Sequence, residues 1–394
     1  MSNLEELIEK LCPDGVEYKK IGELVDYEQP GNYIVSSTKY SDEYNIPVLT
    51  AGQTFILGYI NETDGVYKSS KDNPVIIFDD FTAAFKWVDF EFKVKSSAIK
   101  ILTVNNTLTT IRYIYHVMGF LNISSDEHKR LWIGTYSNIK IPVPPLEVQR
   151  EIVRILDNFT FLTTELAAEL AARQKQYEYY KEYLFENHIF DVEWKRLDEL
   201  FPFIRNGFVG TIKSFFTNET DGIRYLEGTN IHDGVISDNE VLYVTKEFHK
   251  KHIKNQLKSD DILMVQSGHI GECAVVGKKY EGSNCHALII MSNGGKCLSK
   301  YYVYYFHTIK GFKSLTPAIT GGTIKHVLAG KVGKIKVPVP SLEQQQRIVD
   351  ILDRFDALCN DISDGLPAEI EARQKQYEYY RDKLLTFKEL KKEA

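Results

Sequence analysis

The residues whose types and spacing come nearest to a catalytic set are Asp80 and the trio Glu91-Phe92-Lys93. A carboxylate followed by a Glu-x-Lys pair on a strand is an arrangement with which many nucleases hold Mg²⁺. The alternation of DFEFKV (residues 89–94) places Glu91 and Lys93 on one face of such a strand, although a face of this kind is more often simply solvated. Cys285-His286 stands twelve residues from Cys273 and twelve from Cys297. Metal-ligand pairs normally lie about two to four residues apart, so the cysteines read as reduced core thiols. GECAVVGKK (residues 271–279) departs from a phosphate loop in its spacing and in having no Ser or Thr after Lys278. HKKH (residues 249–252) reads as a solvated basic edge. The expectation is a chain with no catalytic residues and no metal site of its own.

What must position any binding residue is a segment that occurs twice. RQKQYEYY stands at 173–180 and again, unchanged, at 373–380. Upstream, Pro142, Pro144, Leu146, Gln149, Ile152, Ile155, Leu156, Asp157 and Phe159 return 196 residues later as Pro338, Pro340, Leu342, Gln345, Ile348, Ile351, Leu352, Asp353 and Phe355. In the first copy Ile152, Ile155, Phe159, Leu162, Leu166, Leu170, Tyr177, Tyr180 and Leu184 fall three or four apart with only Arg173 interrupting, the seam of an amphipathic or coiled-coil helix. Some 40 such residues would span about 60 Å. The offset grows to 200 at RQKQYEYY, and the extra residues include Gly365 and Pro367, so the second helix is expected to break and restart at Pro367. The first copy instead carries TTEL and AAEL in tandem at 163–170.

The repeat is larger than the helix. EYKKIGEL (17–24) resembles EWKRLDEL (193–200), and a region rich in β-branched and aromatic residues separates each lead-in from its helix. Strand signals lie at 46–60, 74–80, 86–94 and 98–104 with a helix at 110–121, and again at 223–231, 261–268, 273–279 and 287–291 with a helix at 299–312. The division expected is 1–141, 142–190, 191–337 and 338–394. The fold class is α+β: two mixed α/β domains, each followed by a long helix, the helices paired as an antiparallel coiled coil with pseudo-twofold symmetry. The net charge of −6 conceals an asymmetry, since residues 194–337 hold 20 Lys and Arg against 13 Asp and Glu and seven histidines, while the helices carry the acid. One domain thus has the charge of a phosphate-binding surface. No apolar run reaches membrane-spanning length and the N-terminus is acidic, which reads as cytoplasmic, with no membrane partner.

The motif IPVPxLExQxxIVxILDxF, repeated as VPVPxLExQxxIVxILDxF, with RQKQYEYY resembles the specificity subunits of type I restriction-modification systems, and the tandem TTEL-AAEL resembles their subgroup with tetrapeptide repeats in the central helix. The resemblance covers essentially the whole chain. It implies two target-recognition domains, each reading half of an asymmetric bipartite site in double-stranded DNA, and helices that set the gap. It further implies docking of two methyltransferase subunits and, through the complex, of restriction/motor subunits. Such a subunit needs no cofactor of its own, and its partners use S-adenosylmethionine, ATP and Mg²⁺. No NPPF-like or glycine-rich methyltransferase motif occurs.

Base edges are read by side chains, while Lys and Arg on phosphates supply position and salt-dependent affinity. Lys129 and Lys325 correspond, 196 residues apart, and are the expected phosphate contacts. For base reading the candidates are turn residues that correspond between the domains but differ in type. They are Thr50, Gln53 and Thr54 against Gly228, Thr229 and Asn230, and Phe81, Thr82, Lys86 and Trp87 against Gln266, Ser267 and His269, with Asn206, Gly207 and Lys213 as a further polar loop. Polar turn residues more often satisfy their own backbone. Ile152, Ile155, Phe159, Leu166, Leu170, Tyr177, Tyr180, Ile348, Ile351, Phe355, Tyr377 and Tyr380 are the expected contacts between helices or with partner subunits. Two other readings compete: a coiled-coil assembly protein with protein-binding domains, and a metal-dependent nuclease using Asp80 and Glu91.

Overall fold

In the computed structural model, which describes residues 2–52, 54–104, 107–123, 129–186, 192–322 and 325–391, each half opens and closes on one strand pair. Glu17–Lys20 runs antiparallel to Lys140–Val143, and Glu193–Arg196 to Lys336–Val339, with Tyr18 opposite Pro142 and Trp194 opposite Pro338. A two-stranded ribbon tolerates these prolines because each strand has an edge that needs no N–H donor. The pair returns the chain to the entrance of its domain just where the helix begins.

In the first half a four-stranded sheet runs in the order Val25–Glu28, Ile99–Val104, Val75–Asp79, Phe85–Val88, and a three-stranded one in the order Ile56–Ile60, Ile46–Leu49, Lys93–Val94. The second half repeats the first order as Phe203–Asn206, Leu288–Ser292, Ile262–Val265, Cys273–Val275. Its other sheet again joins an antiparallel pair, Gly222–Leu226 with Leu242–Thr245, to a short parallel strand, Asn284–Cys285, and adds Phe216–Thr217 at the edge. Two small ribbons, Ile231–His232 with Val235–Ile236 and Ile319–Thr320 with His326–Val327, have no counterpart in the first half among the described residues.

Two expected elements come out differently. Residues 86–94 form two short strands, because Lys93 turns into the interior to meet Glu62 and cannot sit on a solvated face beside Glu91. The helix expected at 299–312 is Ser299–Phe306 followed by Ile309–Ser314. Thr308 breaks it, its hydroxyl accepting from the N–H of Gly311 at 2.9 Å as an N-cap.

The first long helix is continuous over Leu146–Glu186. The second is Leu342–Asn360, then Leu366–Leu384 with Pro367 in its first turn, the restart expected from the sequence. Gly365 is required at the break, since a Cβ there would stand 2.5 Å from the Asp361 carbonyl oxygen and 2.6 Å from that of Ala357.

Packing divides the chain into two units, Met1–Ala167 with Glu369–Ala394, and Ala168–Ala368. Each unit takes in part of both long helical segments. Val148, Ile152 and Leu156 complete the first unit's core, and Ile348, Val349 and Leu352 the second's, so burial of one helical face ties the start of each helix to the domain that precedes it. Within the first unit Phe159 stacks on Tyr380 at 5.3 Å; within the second, Tyr177 and Tyr180 stack on Phe355 at 6.1 and 5.6 Å. Early central helix with late C-terminal helix, and late with early, is the order of an antiparallel pair. Among the described residues no helix is long and apolar enough to cross a membrane.

Candidate nucleic-acid interface

In the first unit Phe81, Thr82, Lys86 and Trp87 lie on the hairpin between Val75–Asp79 and Phe85–Val88. Asp79 Oδ1 accepts from the N–H groups of Phe81 at 3.0 Å and Thr82 at 2.9 Å, which folds the tip outward. Thr82 is exposed and Phe81 half-buried there. Behind the tip Asp80 points inward: its Oδ1 accepts from the Trp132 N–H at 2.8 Å, and its Oδ2 lies 3.1 Å from the buried Lys100 ammonium and 3.7 Å from the Arg130 guanidinium. The Leu131 N–H donates to the Asp80 carbonyl at 2.8 Å, so the segment carrying Lys129 and Arg130 is pinned beside the hairpin. Arg130 was not foreseen; its adjacency to Lys129 in HKRLW was the available signal.

Lys86 and Trp87 follow on the second strand, half-buried. The Arg112 guanidinium lies 4.6 Å above the Trp87 ring and packs on one of its faces. The Thr50 side chain is engaged locally. Its hydroxyl donates to the Thr54 carbonyl at 3.0 Å and accepts from the Gly52 N–H at 3.1 Å, closing its own turn. Thr54 is exposed, and Gln53 lies outside the described residues.

In the second unit several candidates meet on one surface. Thr229 is exposed, its carbonyl accepting from His232 Nε2 at 2.7 Å, and the His232 ring stands 6.3 Å from that of the exposed His269. Gln266 accepts the Val327 N–H at 2.8 Å and Ser267 bridges His326, which brings Lys325 to the same place. Gly268, at φ +81, makes the turn that presents His269. Gly228, Thr229, Gln266, Ser267, His269 and Lys325 are thus joined, with His232 and His326 added by the two ribbons. Glu272 stays ionised nearby, its carboxyl held below the usual range by the hydrogen bond from His307 and, further, by the Asp233 N–H.

Asn230 does not belong to that surface. It is 1 % exposed; its amide donates to the carbonyls of Ser237 and Glu240, and its oxygen accepts the Glu227 N–H, because the turn at 228–230 uses it as a cap. Gly207 is also a packing position, since a Cβ there would lie 2.6 Å from the carbonyl oxygen and sulfur of Cys285. Asn206 ends its strand exposed, and Lys213 stands exposed on a separate turn whose Phe215 packs on Phe248 at 5.1 Å.

The nuclease constellation is not assembled. Asp80 is bound to Lys100, Glu91 to Lys68 at 2.7 Å, and Lys93 to Glu62 at 2.7 Å, with Glu62 drawn down to about 2 chiefly by that hydrogen bond. Cys285 is buried, which pushes its thiol up to about 12, and His286 Nδ1 lies 3.3 Å from the Tyr225 hydroxyl. Among the described residues no group of three or more His, Cys, Asp and Glu side chains is placed to hold a metal ion.

Along the helices Ile152 and Ile348 are core residues, Ile155, Ile351, Leu166 and Leu170 are half-buried, and Tyr377 faces His116. Tyr180 is exposed, and the seam left out two aromatics more exposed still, Tyr179 and its repeat partner Tyr379, at 61 % and 63 %. Their signal was an aromatic kept in both copies at a position off the apolar stripe.

Paired domains of one frame with different loops, mounted on paired helices, define a two-domain recognition protein. The family model for the type I restriction modification DNA specificity domain matches twice, over residues 13–173 and 190–372. The chain is 41% identical, over 98% of its length and 97% of the relative's, to the specificity subunit of the type I restriction enzyme EcoR124I/EcoR124II of Escherichia coli. A putative type I specificity subunit of Haemophilus influenzae is 30% identical over 98% of this chain and all of its own. The type I S subunit of M. genitalium shares the fold at a TM-score of 0.59 and 13% identity, covering 94% of this chain and 96% of that one. This chain belongs to the type I restriction-modification DNA-specificity family, whose members recognise DNA sequence and are not themselves catalytic.

Proposed function

We propose that the chain reads an asymmetric two-part site in double-stranded DNA, one part per domain, with the helices fixing the gap between the parts. In this reading two methyltransferase subunits dock on the helices, with Tyr179 and Tyr379 as outward contacts, and restriction/motor subunits join through the complex. S-adenosylmethionine, ATP and Mg²⁺ belong to those partners. The observation that carries the reading is a sheet order repeated strand for strand while the tips change from Phe81-Thr82 to Ser267-Gly268-His269. A shared frame supplies geometry, and unlike loops supply unlike specificities. On DNA, the complex with methyltransferase should protect two separated patches; a single continuous footprint would count against it.

The tandem at 163–170 is read as the unit of length, of the tetrapeptide-repeat kind. Deleting residues 167–170 removes about one helical turn, roughly 6 Å, and should shorten the accepted gap by about one to two base pairs at roughly 3.4 Å each. Mapping of methylated bases in cells carrying the deletion checks this, and an unchanged gap would mean that the helix is not the ruler.

A further inference from the structure

The loops of the two domains differ, yet each domain is fastened to its helix by the same polar links. In the first unit the Tyr113 hydroxyl donates to the Pro142 carbonyl at 3.1 Å. Gln149, fully buried, donates to the Pro144 and Leu108 carbonyls, both at 2.8 Å, and accepts from the Thr109 hydroxyl at 3.0 Å and the Thr110 N–H at 3.3 Å. Asp157 Oδ1 meets Arg112 Nε and His116 Nε2, both at 2.8 Å. In the second unit the Tyr302 hydroxyl donates to the Pro338 carbonyl at 3.0 Å. The buried Gln345 donates to the Pro340 carbonyl at 2.9 Å and accepts the Leu298 N–H at 2.8 Å. Asp353 Oδ1 accepts the Tyr304 hydroxyl at 2.6 Å and lies 2.9 Å from Lys300 Nζ.

In the repeated segment Pro142, Gln149 and Asp157 return 196 positions later as Pro338, Gln345 and Asp353; on the domain side the tyrosine is kept, as Tyr113 and Tyr302, while Arg112 and His116 give way to Lys300 and Tyr304. Apolar packing alone would hold the domain down but would let it rock, because it is not directional. Gln149 and Asp157 are eight residues apart, about 12 Å along the helix, and two directional anchors at that spacing fix an angle as well as a position. Shifting a reader by one base pair demands about 3.4 Å and roughly a tenth of a turn around the duplex.

We infer that Asp157 and Asp353, backed by the two glutamines and the two tyrosines, are positioning residues that set the angle of each recognition domain on its helix and so the sharpness of gap discrimination. This rests on the two-part reading given above. The test uses the intact methyltransferase complex and DNA carrying its own mapped site with the native gap, with one base pair more and with one fewer. Each gap is also combined with single-base changes in either half. For D157N and for D353N the preference for the native gap should fall about tenfold, the effect of one charge-assisted hydrogen bond, while discrimination against the base changes stays as in the wild type. Y113F and Y302F, which remove only a hydroxyl, should move the same ratio in the same direction by less, and they carry the test if an aspartate variant fails to assemble. An unchanged gap ratio, or an equal loss on every DNA, overturns the assignment, the second by showing a merely structural role. A wild-type complex that methylates no two-part site would instead sink the two-part reading itself.

Discussion

The two halves hold the same helix aspartate with different chemistry, and the difference shows what duplication preserved. Asp157 is gripped by a guanidinium and a buried imidazole, Asp353 by an ammonium and a phenol. The helix face stayed constant and the domain side drifted, so the demand lies on the geometry of the joint rather than on one pair of residues. The reading tips diverged further. The first is a hairpin locked from behind by a buried Asp80–Lys100 pair, and the second a cluster of histidines with Lys325 on ribbons that the first unit does not show among its described residues.

The largest test of that contrast is Asp80→Ala. It leaves the Lys100 ammonium buried without its counter-charge and should cost about 3–5 kcal/mol. Chemical denaturation should show the first unit unfolding earlier while the second keeps its midpoint; equal shifts in both would erase the distinction.

A smaller difference lies in pH. Burial pulls the His116 pKa below its ordinary 6.5 despite the hydrogen bond it makes to the Asp157 carboxylate, and Arg112 adds to the lowering; Tyr377 and Tyr115 are its other neighbours. Because the folded-state pKa lies below the unfolded one, the unfolded chain takes up the proton first as pH drops below 6.5, and stability falls with it. Above that pH the contribution is fully present. Asp157 acts at lower pH. Burial raises its pKa, but the His116 hydrogen bond and the Arg112 charge more than offset this and hold it below 3.8, so its share is lost only as pH falls through that lowered value. His116→Tyr, which gives the first joint the second's phenol, should flatten the stability profile of the first unit between about pH 5 and 7. A profile unmoved by the change would remove His116 from the account.

The smallest effects are expected from the paired lysines. Lys129→Ala and Lys325→Ala should each weaken DNA binding about equally across sequences and lower the salt slope by about one. A change in base preference, or an effect in one half only, would break their equivalence.

The helices, and the run of strand signals along each half, were legible because duplication printed them twice: Gly365 and Pro367 marked the break, and the motif prolines marked each helix start. What misled were side chains whose partners lie far along the chain. Lys93 alternates correctly with Glu91 but is drawn inward by Glu62, 31 residues earlier. Asn230 has the right chemistry for adenine, yet its turn consumes all of it. The clustering of His232, His269 and His326 depends on two ribbons of two residues per strand, too short to give a periodic signal.

The central claim is that two unlike readers at a set separation together define one site. Its most direct test is to map every methylated base in cells expressing this chain with its methyltransferase. The expected result is one asymmetric motif of two specified parts around an unspecified gap of constant length. A continuous motif, a palindrome, or a gap that varies from site to site would contradict it.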